Sequence, residues 1–211
     1  VIDRIRGGDY HATVPVQRAD EIGAVAEGLR TMQDAVSARD DAIRDLAYRD
    51  TLTGLRNRVA FTQDVDSRLA QANGRIAVAL VNVDRFRRIN EALGYAAGDA
   101  VLRAWGRRLA DVGEHAFAAR LAADHFAVAT FVADEPEARA WGQALHALLS
   151  PGVTIDGQTI DVRATVGVAL SGESGTTADL LLRCADAAVE RARRAKREFA
   201  LYEGRLDDAN R

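Results

Sequence analysis

The sequence predicts an α+β sandwich, with a mixed or antiparallel central sheet flanked by helices and a helical stalk in front of it. Three observations lead there. Apolar residues recur at heptad spacing from Ile22 to Leu46. The run Arg75-Ile76-Ala77-Val78-Ala79-Leu80-Val81-Asn82-Val83-Asp84 has the apolar character of a buried strand and closes on polar residues. Beyond it, strand and helix patterns interleave without strict βαβ repetition.

Bulk properties agree. The 211 residues are 48% hydrophobic and 28% charged, enough apolar side chains for a packed core and too many for a disordered segment. Lys+Arg 28 against Asp+Glu 31 leaves a formal net charge of -3, so no basic excess marks a nucleic-acid surface. No apolar run approaches the roughly 18 residues that cross a bilayer, and the first residues are too polar for a signal peptide. One cysteine, Cys184, excludes a disulfide framework and a multi-thiolate metal site, and its apolar helical setting marks it as a core residue.

Taken in order, residues 1–20 carry turn chemistry at Gly7-Gly8-Asp9 and extended chain at Val14-Pro15-Val16, and Asp20 suits the cap of the next helix. Ile22, Val25, Leu29, Met32, Val36, Ile43 and Leu46 then hold one heptad register, with Arg39 out of line at a core position. About 25 residues at roughly 1.5 Å each make a stalk of roughly 38 Å. Such a stripe needs a partner stripe: a parallel homodimeric coiled coil is the first expectation, packing on the chain's own body the second. Arg39 either weakens the seam or snorkels out of it. After Tyr48-Arg49-Asp50 the pattern changes. Following the strand at 75–84 come helical stretches at about 86–95 and 99–111. A hairpin of 116–121 and 126–132 has Ala122-Ala123-Asp124-His125 at its tip. A helix at 135–149, a strand at 159–170, a helix at 178–197 and a short strand at 199–202 complete the reading.

These residues resemble a known family. Asp50-Thr51-Leu52-Thr53-Gly54-Leu55-Arg56-Asn57-Arg58 is similar to the opening motif of GGDEF (diguanylate cyclase) domains. Asn82-Val83-Asp84-Arg85-Phe86-Arg87-Arg88-Ile89-Asn90, with Gly94-Tyr95 and Gly98-Asp99, is similar to the family's D-x-D-x-F-K-x-I-N…G-H-x-x-G-D block. Arg120-Leu121-Ala122-Ala123-Asp124-His125-Phe126 stands in the place of R-x-G-G-D-E-F. Thr165-Val166-Gly167-Val168-Ala169, and Ala185-Asp186 through Arg197, resemble its later strand and last helix. Upstream, Gly7-Gly8-Asp9-Tyr10 through Asp20-Glu21-Ile22-Gly23 resembles the second half of a HAMP domain, a dimeric helical relay that follows a membrane span. The expected organisation is a partial HAMP domain and coiled-coil signalling helix over 1–50, then a degenerate GGDEF domain over 51–203. That domain would have the nucleotidyl-cyclase-like sandwich with a mainly antiparallel sheet, and residues 204–211 would be a linker of the kind that leads into an EAL domain.

The resemblance implies a chemistry and shows where this chain departs from it. Members condense two GTP molecules into cyclic di-GMP, one held by each subunit of a dimer, a phosphoryl transfer in which Mg²⁺ offsets charge. The metal positions correspond here to Asn82, the Val83 carbonyl and Asp124, with Asp84 next door expected to point elsewhere. Asn82 keeps an oxygen but lacks the charge a hard cation wants, so the metal site is expected to be weak or lost and Asp124 vestigial. Ala122 and Ala123 replace glycines that permit positive φ and close approach, and His125 replaces a glutamate. Asp124 and His125 also read as plain polar turn residues. Asn90 and Asp99 correspond to residues that hydrogen-bond guanine, and Arg87, Arg193 and Arg197 to cations facing phosphate. Arg193 and Arg197 are expected one turn apart on one face of the last helix, with a solvated arginine-rich face as the alternative. Tyr95 replaces a histidine near the base. The family's inhibitory R-x-x-D is replaced by Gly113-Glu114-His115-Ala116, so no inhibitory site is expected.

The expected function is that of a non-catalytic GGDEF domain in the cytoplasmic portion of a bacterial inner-membrane cyclic di-GMP signalling protein. It would be a homodimer relaying a HAMP signal, with GTP and its Mg²⁺ as ligand and no nucleic-acid partner. The alternatives are a weakly active diguanylate cyclase and a nucleotide-free dimerisation scaffold.

Overall fold

The computed structural model describes residues 21–71, 74–113, 115–172 and 175–204, and the chain divides into two compact units, Val1–Ala47 and Tyr48–Arg211. Helix α1 (Glu21–Tyr48) runs 28 residues. Met32 is 66% and Leu46 70% exposed on it, while Gln33 is buried and Arg39 exposed. Val36 is half-buried, and the heptad side chains of Ile22, Val25, Leu29 and Ile43 lie outside the described residues, as do Gly7-Gly8-Asp9-Tyr10, Asp20 and 205–211. No helix among the described residues is long and apolar enough to cross a membrane.

The second unit contains α2 (Arg58–Gln71), β1 (Arg75–Val83), α3 (Phe86–Leu93), α4 (Tyr95–Ala110), β2 (Phe117–Ala122) and β3 (His125–Val132). There follow α5 (Glu135–Leu149), β4 (Val153–Ile155), β5 (Gln158–Ile160), β6 (Ala164–Leu170), α6 (Ala178–Arg194) and β7 (Phe199–Leu201). The five-stranded sheet has the order β2-β3-β1-β6-β7. Only β6 and β7 run parallel. This is the mainly antiparallel α+β sandwich that the sequence predicts.

Strand β1 is the centre of the sheet, with β3 on one edge and β6 on the other, and every residue from Ile76 to Val83 is buried. Its alternating side chains feed two cores. Ala77, Ala79, Val81 and Val83 pack in the cluster holding Val101, Leu102, Trp105 and Leu109 of α4 and Ala138, Leu145 and Leu149 of α5. Ile76, Val78 and Leu80 pack with Phe61 and Val65 of α2 and Leu181, Ala185 and Val189 of α6. Burying both faces is why β1 reads as a continuous apolar run. Cys184 is buried in that second cluster, as its setting predicts.

Local chemistry sets the helix ends. Asn57 Oδ1 caps α2 by accepting from the Ala60 amide at 3.1 Å. Asp134 caps α5 through the Glu137 amide at 2.9 Å, and Glu137 Oε2 accepts from the Ala133 amide at 2.6 Å. Helix α6 stops earlier than the sequence suggests. Lys196 takes φ 53, its amide bonds the Arg193 carbonyl at 3.0 Å, and the Arg197 amide bonds the Ala192 carbonyl at 2.8 Å. That is the Schellman pattern, and it places Arg197 beyond the helix, not one turn after Arg193 on its face. The expected strand at 159–170 is likewise two strands. Asp156 and Gly157, at φ 48 and 80, turn β4 into β5, and residues 161–163 carry no strand pairing before β6.

The domain's first turn is tied to the hairpin. Asp50 accepts from the Thr53 hydroxyl at 2.7 Å, from its amide at 2.9 Å, and from Arg120 Nη1 at 3.1 and 3.2 Å. Burial opposes the charge on Asp50, but the Thr53 bonds and the Arg120 guanidinium outweigh it and hold the carboxyl below its ordinary value.

Two outcomes follow from this packing. A Cβ on Gly167 of β6 would lie 2.2 Å from the Ala185 carbonyl oxygen and 2.5 Å from the Val189 nitrogen, both α6 backbone. Gly167→Ala must push α6 off the sheet, and urea unfolding should show a loss of about 1–3 kcal/mol. Because the folded pKa of Asp50 is depressed, its contribution is present above the ordinary carboxylate pKa and fades as pH falls through the lowered value. Asp50→Asn should destabilise by about 1–2 kcal/mol at neutral pH, and the gap to the parent chain should narrow below about pH 4. Urea melts across that range check the sign.

Candidate functional site

The site is assembled where β1 ends between its two neighbours. Asn82 lies opposite His125 of β3 and opposite Thr165 of β6. It follows the even-numbered series of β1, so its side chain shares the α6 side of the sheet with that of His125.

Asn82 is only 2% exposed, so its amide must find partners within the protein. The neighbours fix its orientation. With the nitrogen donating to the Val81 carbonyl at 3.3 Å, the oxygen accepts from His125 Nε2 at 2.9 Å and from Arg193 Nη2 at 3.2 Å. The opposite orientation would aim an amide nitrogen at a guanidinium that can only donate. His125 Nδ1 stands 3.4 Å from Asp124 Oδ1. Arg193, near the end of α6, also lies 3.4 Å from Asp84 Oδ1 and 3.4 Å from Glu190 Oε1. The Thr165 hydroxyl donates to the Asp84 carboxylate at 2.8 and 2.9 Å. Asp84 therefore does not point elsewhere: it joins Asn82 through Arg193, as two residues of one strand face allow.

The hairpin tip is narrower than expected. Ala122 remains in β2, and only Ala123 takes positive φ, at 41°. Of the two replaced glycines, the second alone would use its backbone freedom, and an alanine there carries about 1 kcal/mol of strain. Arg120 holds the turn, donating to the Ala123 carbonyl from Nε at 2.9 Å and Nη2 at 2.7 Å while Nη1 grips Asp50. The Val83 amide bonds the Asp124 carbonyl at 3.2 Å. Beside the tip, Ala122 and His125 border a cavity of about 280 Å³ walled by Leu80, Leu121, Leu182, Arg58, Arg183 and Asp186.

These residues do not fit a hard divalent cation. The Asn82 oxygen is taken by two donors, and Asp84 and Asp124 each face a basic side chain. Among the described residues no three His, Cys, Asp or Glu side chains converge as a metal cluster.

The base-reading candidates lie on α3 and α4. Asn90 packs on Gly98, where a Cβ would come within 1.9 Å of its Oδ1, and that oxygen is buried without a hydrogen-bond partner. Asp99 is half-buried, 3.7 Å from Arg103. Arg87 is exposed on α3, Tyr95 is 81% exposed at the start of α4, and Arg197 is exposed past α6. Thus Asn82, Asp84, Asp124, His125 and Arg193 converge, while Arg197 does not join Arg193 on a helix face. Sequence reasoning gave no role to Arg120 or Thr165. Thr165 could have been found from its register opposite Asn82, but the three-way grip of Arg120 exists only once the turn is folded.

The family described as diguanylate cyclase, GGDEF domain, matches residues 47–198, and the HAMP domain family matches residues 1–38. An uncharacterized signaling protein of Caulobacter vibrioides is 34% identical over 206 residues, which is 92% of this chain and 25% of that protein. Two Pseudomonas aeruginosa proteins are each 32% identical. The match covers 76% of this chain and 21% of the cyclic di-GMP phosphodiesterase NbdA, and 86% of this chain and 43% of the diguanylate cyclase TpbB. The chain spans less than half the length of these curated relatives. The solved GGDEF domain of TpbB superposes with a TM-score of 0.70 at 34% identity, over 74% of this chain and 95% of that one. The coiled coil and GGDEF domain of DgcB from Caulobacter crescentus shares the fold, with a TM-score of 0.74 at 22% identity over 86% of this chain and all of that one, 100%. With the family pattern spanning most of its length, the chain belongs to the diguanylate cyclase GGDEF domain family, and a HAMP domain precedes that domain.

Proposed function

We propose that this chain is the degenerate, non-catalytic GGDEF domain of a membrane-linked cyclic di-GMP signalling protein, relaying a HAMP signal as a homodimer and reading GTP as a ligand. One observation carries the non-catalytic reading. The oxygen of Asn82, where the resemblance places a metal-binding carboxylate, is engaged by His125 and Arg193. Positioning and charge compensation at the phosphates are most of what an enzyme contributes to phosphoryl transfer, so losing the cation site removes the largest contribution.

Retained guanine reading is supported by Asn90 and Asp99, which keep the residue types of the family's base-reading positions on neighbouring helices. The cavity beside Ala122 and His125 leaves room near the tip. Membrane linkage and dimerisation rest on the HAMP match and on the exposed heptad residues Met32 and Leu46. A downstream EAL domain belongs to the same proposal, in line with the greater length of the relatives and with NbdA being a phosphodiesterase.

Incubation of the chain with GTP and Mg²⁺, followed by chromatography, should yield no cyclic di-GMP above background, and Asp124→Ala should change nothing. Magnesium-dependent turnover abolished by Asp124→Ala would establish the weak cyclase instead. Calorimetry should give a high-micromolar or weaker GTP site whose preference over ATP disappears in Asp99→Ala. Equal affinity for ATP and GTP in the parent chain would contradict guanine reading and favour the nucleotide-free scaffold.

A further inference from the structure

The groups that should hold a metal already face basic side chains of the protein. Arg193 lies against Asn82 and Asp84 at once, 3.2 Å from the amide oxygen of the first and 3.4 Å from a carboxylate oxygen of the second. Its arm is fixed: Glu190 holds the other terminal nitrogen at 3.4 Å, and the Thr165 hydroxyl fixes Asp84 at 2.8 and 2.9 Å. On the opposite side His125 donates to the same Asn82 oxygen at 2.9 Å and faces Asp124 at 3.4 Å. The set Asp124, His125, Asn82, Arg193, Asp84 and Thr165 is continuous.

We infer that Arg193 is the resident cation of this corner, with His125 as the second donor, and that the site has become metal-independent: it excludes divalent ions, and any phosphate ester it accepts is bound without one. A divalent ion entering between Asn82 and Asp124 would have to displace two hydrogen bonds from an amide buried to 2% exposure and sit beside a guanidinium that cannot deprotonate.

The inference makes a demand that the loss of one charge at position 82 would not. If the amide were the only obstacle, Asn82→Asp would restore the metal. With Arg193 resident beside His125, a new carboxylate at 82 pairs with the guanidinium instead, and the ion stays out until Arg193 and His125 are also replaced.

Manganese titration of the whole chain, followed by electron paramagnetic resonance of free Mn²⁺ and without nucleotide, tests this directly. No stoichiometric binding is expected for the parent chain or for Asn82→Asp, and a one-to-one site is expected for Asn82→Asp combined with His125→Glu and Arg193→Ala. Stoichiometric Mn²⁺ on the parent chain, or on Asn82→Asp alone, overturns the inference, as does a folded triple variant that still binds none. Circular dichroism establishes folding, and the first two measurements stand if the triple variant does not fold. The part concerning ligand rests on the GTP reading above. If GTP binds, its affinity should change by no more than about twofold between Mg²⁺ and chelator, and a change of about tenfold or more contradicts the inference. If GTP does not bind, the reading of GTP as ligand fails while the manganese result still decides the metal question.

Discussion

A central strand with partners on both edges leaves its last polar residue little freedom. Strand β1 is buried from Ile76 to Val83, and Asn82 emerges between β3 and β6 with almost no access to water. A buried amide in that position must be satisfied locally, and two donors answer it from different elements: His125 from the hairpin and Arg193 from α6. The same bonds fasten the signature tip to the sheet and the end of α6 to the strand. Fold and chemistry meet at one amide. The same bonds engage the oxygen at the position where the family resemblance expects a metal ligand.

The changes at the tip act together. His125 supplies the donor that Asn82 needs, and an aspartate at 82 beside a glutamate at 125 would set two anions across the strand pair that only a bound cation could offset. Ala123 sits in a left-handed turn that alanine tolerates poorly, and Arg120 clamps its carbonyl twice. That clamp extends to Asp50 in the first turn of the domain, so the tip and the start of the fold are joined through one guanidinium. The sheet, α6 and the Arg120 clamp are held by the protein's own contacts, so the proposed loss of the metal leaves this architecture intact.

The sequence made most of this architecture legible, and the exceptions have physical reasons. The strand β1, the hairpin and the helix at 135–149 follow from apolar periodicity, and periodicity reports burial directly. Helix α2 was not anticipated, although Asn57 as its cap and the apolar Phe61 and Val65 were there to be read. The β4–β5 turn at Asp156-Gly157 was likewise available as a hairpin signal. The stop of α6 was not available: a Lys at φ 53 gives no warning in the sequence, and only the reversed hydrogen bonds of Lys196 and Arg197 show that the helix has ended. At the site, the family pattern located the altered positions. That Asp84 and Asn82 share Arg193 could come only from packing α6 across the sheet.

If Arg193 and His125 stand in the metal's place, a crystal of the chain grown with GTP and Mn²⁺ will show it. Anomalous scattering locates manganese without reference to any assumed ligand set. No ion is expected between Asn82 and Asp124, with His125 Nε2 and Arg193 Nη2 still within hydrogen-bond distance of the Asn82 oxygen. An anomalous peak coordinated by Asn82 and Asp124, with Arg193 turned away, would contradict it.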